Sequence, residues 1–149
     1  MAVYQYIAFL DRYLNTAGQP NKQVMKNTIL VVDDNADLLQ ITTLILRAQG
    51  YSVMCADTVQ QATTLIESEH PQLILLDVCI CEEDGIAFCH QLKQKAATKG
   101  IRVILMSGNE YEEKEWNVAD DFLLKPFDFN TMTQKIMQQL SFATQPLPI

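Results

Sequence analysis

Four places along this chain carry side chains suited to one shared piece of chemistry. Asp33 and Asp34 follow the apolar run Ile29–Val32, Asp77 follows Leu73–Leu76, Ser107 follows the segment Ile101–Met106, and Lys125 follows Phe122–Leu124. Carboxylates gathered in one place repel, and a divalent cation relieves the repulsion; oxygen-only ligands suit Mg²⁺, which keeps several of its waters. A hydroxyl and an ammonium group on the far side of the acids supply a hydrogen-bond donor and a positive charge, the groups that hold the equatorial oxygens of a transferring phosphoryl group. In such a set Asp77 is the nucleophile, since carboxylates form aspartyl phosphates. Each residue taken singly also fits an ordinary turn at the end of a strand. Only their convergence makes a site.

A parallel sheet would bring them together. Leu73-Ile74-Leu75-Leu76 has no apolar–polar alternation, the pattern of a strand buried on both faces. Ile29-Leu30-Val31-Val32 has the same character. After the first strand, Asn35 can cap a helix with Leu38, Ile41, Ile45 and Ala48 as its buried stripe and Gly50 as its stop. Tyr51–Ala56 reads as a short strand. Thr58-x-x-Gln61 has capping-box spacing and opens a helix with Val59, Ala62, Leu65 and Ile66 inward. Val78–Asp84 reads as a loop, and a helix from Gly85 presents Ile86, Cys89, Leu92 and Ala96. A short helix is expected around Glu112–Val118, and a last one over Asp128–Leu140 with Phe129, Met132, Ile136 and Leu140 inward. From Ile29 onward strand and helix alternate five times. Right-handed crossovers turn that order into a doubly wound α/β sheet with helices on both faces and every carboxyl end on one edge.

The remaining segments and the composition set bounds. Val3, Ile7, Leu10 and Leu14 share one helical face, widened by Tyr6, Phe9 and Tyr13 and ended at Gly18-Gln19-Pro20. That stripe needs cover, from its own domain or from another copy or partner. The expected organisation is an extension and linker over 1–27, one domain over 28–141, and a loose tail over 142–149. A length of 149 residues with 48% hydrophobic content fits one globular domain. A net charge of −7 speaks against phosphate-backbone binding by this chain. The amino terminus lacks the pattern of a signal peptide, and no apolar run is long enough to span a bilayer. A cytoplasmic location and free thiols at Cys55, Cys79, Cys81 and Cys89 are therefore expected. Cys79-x-Cys81 is not zinc spacing, and the thiols read as incidental.

The motifs Ile29-Leu30-Val31-Val32-Asp33-Asp34-Asn35, Leu73-Ile74-Leu75-Leu76-Asp77, Asp84-Gly85, Met106-Ser107 and Asp121-Phe122-Leu123-Leu124-Lys125-Pro126-Phe127, in this order, resemble the response-regulator receiver domain of two-component signalling, the CheY-like family. The likeness covers roughly residues 27–140. It implies a flavodoxin-like sheet of five strands in the order 2-1-3-4-5, and a regulatory phosphoacceptor rather than an enzyme, beyond its own phosphorylation and autodephosphorylation. It implies that Asp77 accepts a phosphoryl group from a histidine kinase or phosphotransfer protein, that Asp33, Asp34, Asp77 and the backbone carbonyl of Cys79 hold Mg²⁺, and that Ser107 and Lys125 engage the phosphoryl oxygens. Phe122 takes the aromatic switch position, and the Lys125–Pro126 peptide bond is cis.

Three departures from the family stand out. The loop Ile80-Cys81-Glu82-Glu83-Asp84-Gly85 replaces the usual proline with acids, the stretch from Ser107 to Lys125 is short, and residues 1–17 are extra. With no further domain in this sequence, output is expected through a downstream protein target, without nucleic acid or membrane, and a homodimer through residues 1–17 is one form it could take. The other readings are a constitutive scaffold working through residues 1–17, and a phosphatase or flavin-binding relative. Against the latter, Asp33-Asp34-Asn35 is not a glycine- or hydroxyl-rich phosphate loop.

Overall fold

The computed structural model describes residues 27–108 and 117–143. The stripe at 3–14, the short helix expected around 112–118 except for its last two residues, and the tail from 144 lie outside the described residues. Five strands, β1 (Thr28–Val32), β2 (Ser52–Ala56), β3 (Leu73–Asp77), β6 (Arg102–Ser107) and β7 (Asp121–Leu124), form one parallel sheet in the order β2-β1-β3-β6-β7. The expected order is thus observed. Among the described residues four helices cover it: α1 (Ala36–Ala48), α2 (Val59–Glu69), α3 (Gly85–Gln94) and α4 (Phe129–Ala143). Alternation within each central strand divides two cores. Leu30, Val32, Ile74, Leu76, Val103 and Leu105 face α2 and α3, while Ile29, Val31, Leu73, Leu75, Ile104 and Met106 face α1 and α4. Residues of β1 and β3 are buried on both faces because helices lie on both, which is why these strands carry no polar alternation.

Register delivers the edge residues. Val32 pairs with Leu76, so Asp33 and Asp77 are neighbours one step further on. Asp77 itself pairs with Met106, and Ser107 pairs with Leu124, which puts Ser107 and Lys125 at the same edge. A one-residue slip in any of these pairings would send the side chain to the opposite face.

Two helix faces differ from the sequence reading. On α1 the buried residues are Thr42, Thr43, Ile45 and Leu46, while Ile41 is 36% and Leu44 50% exposed. The helix is rotated so that two threonines go inward in place of Ile41 and Ala48. Burying a hydroxyl is tolerable when it is bonded. This holds for Thr43, whose Oγ1 donates to Leu39 O at 2.7 Å and lies 2.9 Å from Cys55 Sγ, whereas the buried Thr42 Oγ1 has no hydrogen-bond partner among the described residues. On α3 the inner face is Gly85, Phe88, Cys89 and Leu92; the helix ends at Gln94, leaving Ala96 outside it and exposed. The expected loop after Asp77 holds a two-stranded hairpin, β4 (Cys79–Ile80) with β5 (Glu83–Asp84). Its turn residues Cys81 and Glu82 have φ of 48° and 67°. A two-residue hairpin turn of this hand requires positive φ at both positions, and here neither is glycine.

The approach to β7 is anchored by charge. Asp120 accepts from Lys93 Nζ at 2.6 Å, from Arg102 at 2.9 Å and from the Val103 N–H at 2.8 Å. Burial acts to raise the Asp120 pKa, but these donors outweigh it and hold the carboxyl below its usual range. A depressed folded pKa contributes stability that is present above the unfolded carboxylate pKa and lost as pH falls through the folded value. Asp120→Asn is expected to cost about 2 kcal/mol at neutral pH, with the deficit shrinking under acid; urea unfolding at two pH values checks both.

Candidate functional site

The first strand ends on an acid whose two oxygens are both engaged. Asp33 is 1% exposed; its Oδ1 accepts from the Asn35 N–H at 2.9 Å and its Oδ2 from Lys125 Nζ at 2.8 Å. Asn35 in turn caps α1, its side chain accepting from the Leu38 N–H at 3.1 Å. Asp34, next along, is exposed and accepts from the Cys81 N–H at 2.9 Å, tying the hairpin turn to the acidic edge.

Asp77 ends the central strand and is 7% exposed. Its Oδ1 accepts from the Cys79 N–H at 3.1 Å, and its Oδ2 from Lys125 Nζ at 2.7 Å. Lys125 therefore bridges Asp33 and Asp77, rather than standing on the far side of the acids. Burial raises the Asp77 pKa; the Lys125 and Cys79 hydrogen bonds lower it without cancelling, and the Asp33 charge raises it further. For Lys125 burial works against the charge, but hydrogen bonds to Asp33 and Asp77 and their charges raise its pKa overall. Ligand oxygens of Asp33, Asp34 and Asp77 lie within 4.8 Å of one another. That all-oxygen donor set, open to solvent through Asp34, has the chemistry a hydrated Mg²⁺ needs. Cys79 touches the site through its main chain; both Cys79 and Cys81 thiols are free and exposed.

Ser107 is 1% exposed at the end of β6, and its carbonyl accepts from the Lys125 N–H at 2.7 Å. The Lys125–Pro126 peptide bond is cis. Phe122 is 42% exposed, with Lys135 Nζ 5.2 Å from its ring centroid while the same ammonium pairs with Asp121 at 2.8 Å.

The structure adds two features that the sequence reading passed over. Asp84 is the cap of α3, accepting from the Ile86 and Ala87 N–H groups at 2.9 and 3.1 Å. The Gly85 N–H donates to Val78 O at 2.8 Å, and a Cβ on Gly85 would run into the Asp77 carbonyl oxygen and sit 2.9 Å from Val78 Cα. The Asp-Gly dipeptide was the available signal. Backbone, not a flexible side chain, blocks the added methyl, so Gly85→Ala is expected to destabilise by about 2–3 kcal/mol and to displace Asp77; denaturant midpoints measure it.

A parallel sheet whose carboxyl edge gathers three acids and a bridging lysine, with Ser107 ending the neighbouring strand, defines a class of doubly wound α/β domains. Residues 29–137 match the family described as "Response regulator receiver domain". The chain belongs to that family, the regulatory receiver domains of two-component systems. It is 32% identical over 125 residues to the alkaline phosphatase synthesis transcriptional regulatory protein PhoP of Bacillus subtilis, covering 80% of this chain and 52% of that protein. It is 28% identical over 120 residues to the DNA-binding response regulator MtrA of Mycobacterium tuberculosis, covering 78% and 51%. A CheY-like response regulator receiver domain protein from Methanospirillum hungatei superposes with a TM-score of 0.72 at 25% identity, covering 78% of this chain and 95% of that one. The chain thus spans about half the length of the two regulators. Since one is a transcriptional regulatory protein and the other a DNA-binding response regulator by name, the expectation of an output without nucleic acid has no support from these relatives. No helix among the described residues is long and apolar enough to cross a membrane.

Proposed function

We propose that Asp77 accepts a phosphoryl group from a histidine kinase or phosphotransfer protein and that the modified domain then binds a downstream protein target in the cytoplasm. The observation carrying this reading is the Lys125 bridge, at 2.8 Å to Asp33 and 2.7 Å to Asp77, inside a cluster of three carboxylates. Asp33, Asp34, Asp77 and the Cys79 carbonyl would hold Mg²⁺. When bound, the ion neutralises charge on the acids and on the incoming phosphoryl oxygens. An Asp77 carboxylate oxygen forms a bond to phosphorus as the bond from phosphorus to the donor's histidine nitrogen breaks, leaving the electron pair on the imidazole. Lys125 exchanges its Asp77 contact for a phosphoryl oxygen, and the Ser107 hydroxyl donates to another.

Departure of the ammonium and hydroxyl toward the phosphate is a local charge change that biases the neighbouring surface. Phe122 is the proposed switch: its ring now lies outward beneath Lys135. Exposed Leu124, two residues along β7, lines a hollow with Phe122, Pro126 and Phe127, an apolar surface for the downstream protein. The short segment before β7 and the acid-rich loop after Asp77 would give that surface its own partner preference. Intact-mass measurement after incubation with Mg²⁺ and a small acyl phosphate tests the reading. A single added phosphate that disappears with excess chelator supports it; no phosphate at any donor concentration sinks it.

A further inference from the structure

We propose that the cleft at the opposite edge of the sheet from Asp77 seats residues 3–14 of this chain's own amino-terminal segment. The cleft, about 530 Å³, lies between the end of α2 and the turn after α3. Its floor and walls are largely apolar, from Ile66, Pro71, Ala96, Ala97 and Ile101, with Gln72 at its side. Ile66 and Pro71 belong to or border the core, and the turn 95–101 that forms the far wall is held by the Thr98 hydroxyl on Leu92 O at 2.6 Å and the Ile101 N–H on Thr98 O at 3.0 Å. It is a formed groove, not a fraying end.

The amino-terminal segment enters the fold beside this groove. Thr28 opens β1; its carbonyl accepts from the Gln72 N–H at 3.0 Å, and its own N–H donates to the Gln72 side chain. Gln72 is thus shared between the entry of the chain and the cleft wall. Residues 15–26 span at most about 40 Å when extended, and a helix over 3–14 is about 18 Å long, so the arm reaches the cleft without strain. Val3, Ile7, Leu10 and Leu14 present the i, i+4, i+7 anchors by which an amphipathic helix fills an apolar groove. The family match begins at residue 29, so the arm is additional to the receiver domain, and this cleft is a surface that the matched fold leaves open to it. A polar rim of Glu67, His70 and Thr98 borders the groove, as a docked amphipathic helix requires. Seated there, the arm leaves the Asp77 edge open to its phosphodonor.

Hydrogen exchange on the full-length protein, followed by mass spectrometry, tests this. Amides of 4–14 and of the cleft segments 66–72 and 96–101 are expected to be protected together, with protection of 4–14 falling about tenfold or more in Ala97→Arg and in Leu10→Asp. Leu10→Asp should also deprotect the cleft segments, which a purely local effect on the arm would not do. Ala97 is exposed on the receiver fold, so its variant should keep that fold, read as unchanged protection of the β1 and β3 amides. Absence of protection in 4–14, protection insensitive to both variants, or protection that rises with protein concentration and therefore belongs to a second copy, each overturns the proposal.

Discussion

Lys125→Ala should lose about 3 kcal/mol of stability at pH 7, and recover a large part of it on adding Mg²⁺. Lys125 is the shared cation of Asp33 and Asp77. Asp33 is almost wholly buried and cannot turn to water for compensation. Removing one partner of a buried pair leaves an uncompensated charge, a loss of about 3–5 kcal/mol, and the lower end applies because the Lys125 side chain is 23% exposed. The pH dependence has two arms. In the parent, the raised Lys125 pKa gives a contribution fully present below the unfolded lysine pKa and lost as alkaline pH passes the folded value. In the variant, acidification helps instead, because protonating Asp77, whose pKa is already raised, removes its repulsion with Asp33. A cation that binds the folded acids and not the unfolded chain stabilises by mass action. Urea unfolding at pH 7 and near pH 5, with and without Mg²⁺, measures all three effects. A variant as stable as the parent at pH 7 would show that the bridge neutralises nothing of consequence.

Asp77→Asn should abolish phosphate incorporation while raising the denaturation midpoint. The two effects have one origin. A carboxylate held in a desolvated, like-charged pocket is a nucleophile kept at the expense of the fold, as its raised pKa reflects. A folded pKa above the unfolded one means that ionisation favours the unfolded chain, so the native state loses stability as pH rises through the carboxylate range. An amide keeps the shape with the charge removed, but its single oxygen accepts from Lys125 or from the Cys79 N–H and not from both; a net gain of at most about 1 kcal/mol at pH 7 is expected. Intact mass after treatment with a small acyl phosphate, beside a urea melt, reads both. Phosphate persisting in Asp77→Asn would move the acceptor elsewhere.

Much of this architecture was legible because it rests on short-range signals. Runs such as Leu73–Leu76 can be satisfied only between two layers, and residues that end such runs fall on the same edge when the strands are parallel. Asp33, Asp77 and Lys125 meet for that reason, and Ser107 reaches the same edge through its main chain. What stayed hidden depended on choices between near-equal alternatives or on distant partners. On α1 the expected stripe Leu38/Ile41/Ile45/Ala48 and the buried one Thr42/Thr43/Ile45/Leu46 share only Ile45, and hydropathy favours the former because it cannot count the bond from Thr43 to Leu39. The β4–β5 hairpin turns on Cys81 and Glu82 at positive φ, where no glycine or asparagine marks it. Asp120 gathers Lys93 and Arg102 from elements 27 and 18 residues away, a convergence with no local pattern. The position of Lys125 between the acids, not beyond them, is likewise a fact of three dimensions.

The most direct measurement localises the phosphate. Treating the protein with a small acyl phosphate and Mg²⁺, then reducing with borohydride, converts a phosphorylated aspartate to homoserine, which peptide mass spectrometry places to a single residue. Homoserine at position 77, absent when the magnesium is chelated, is the expected outcome. Reduction at Asp33 or Asp34, a phosphate on His70 or His90, or no homoserine anywhere despite an intact fold would contradict it.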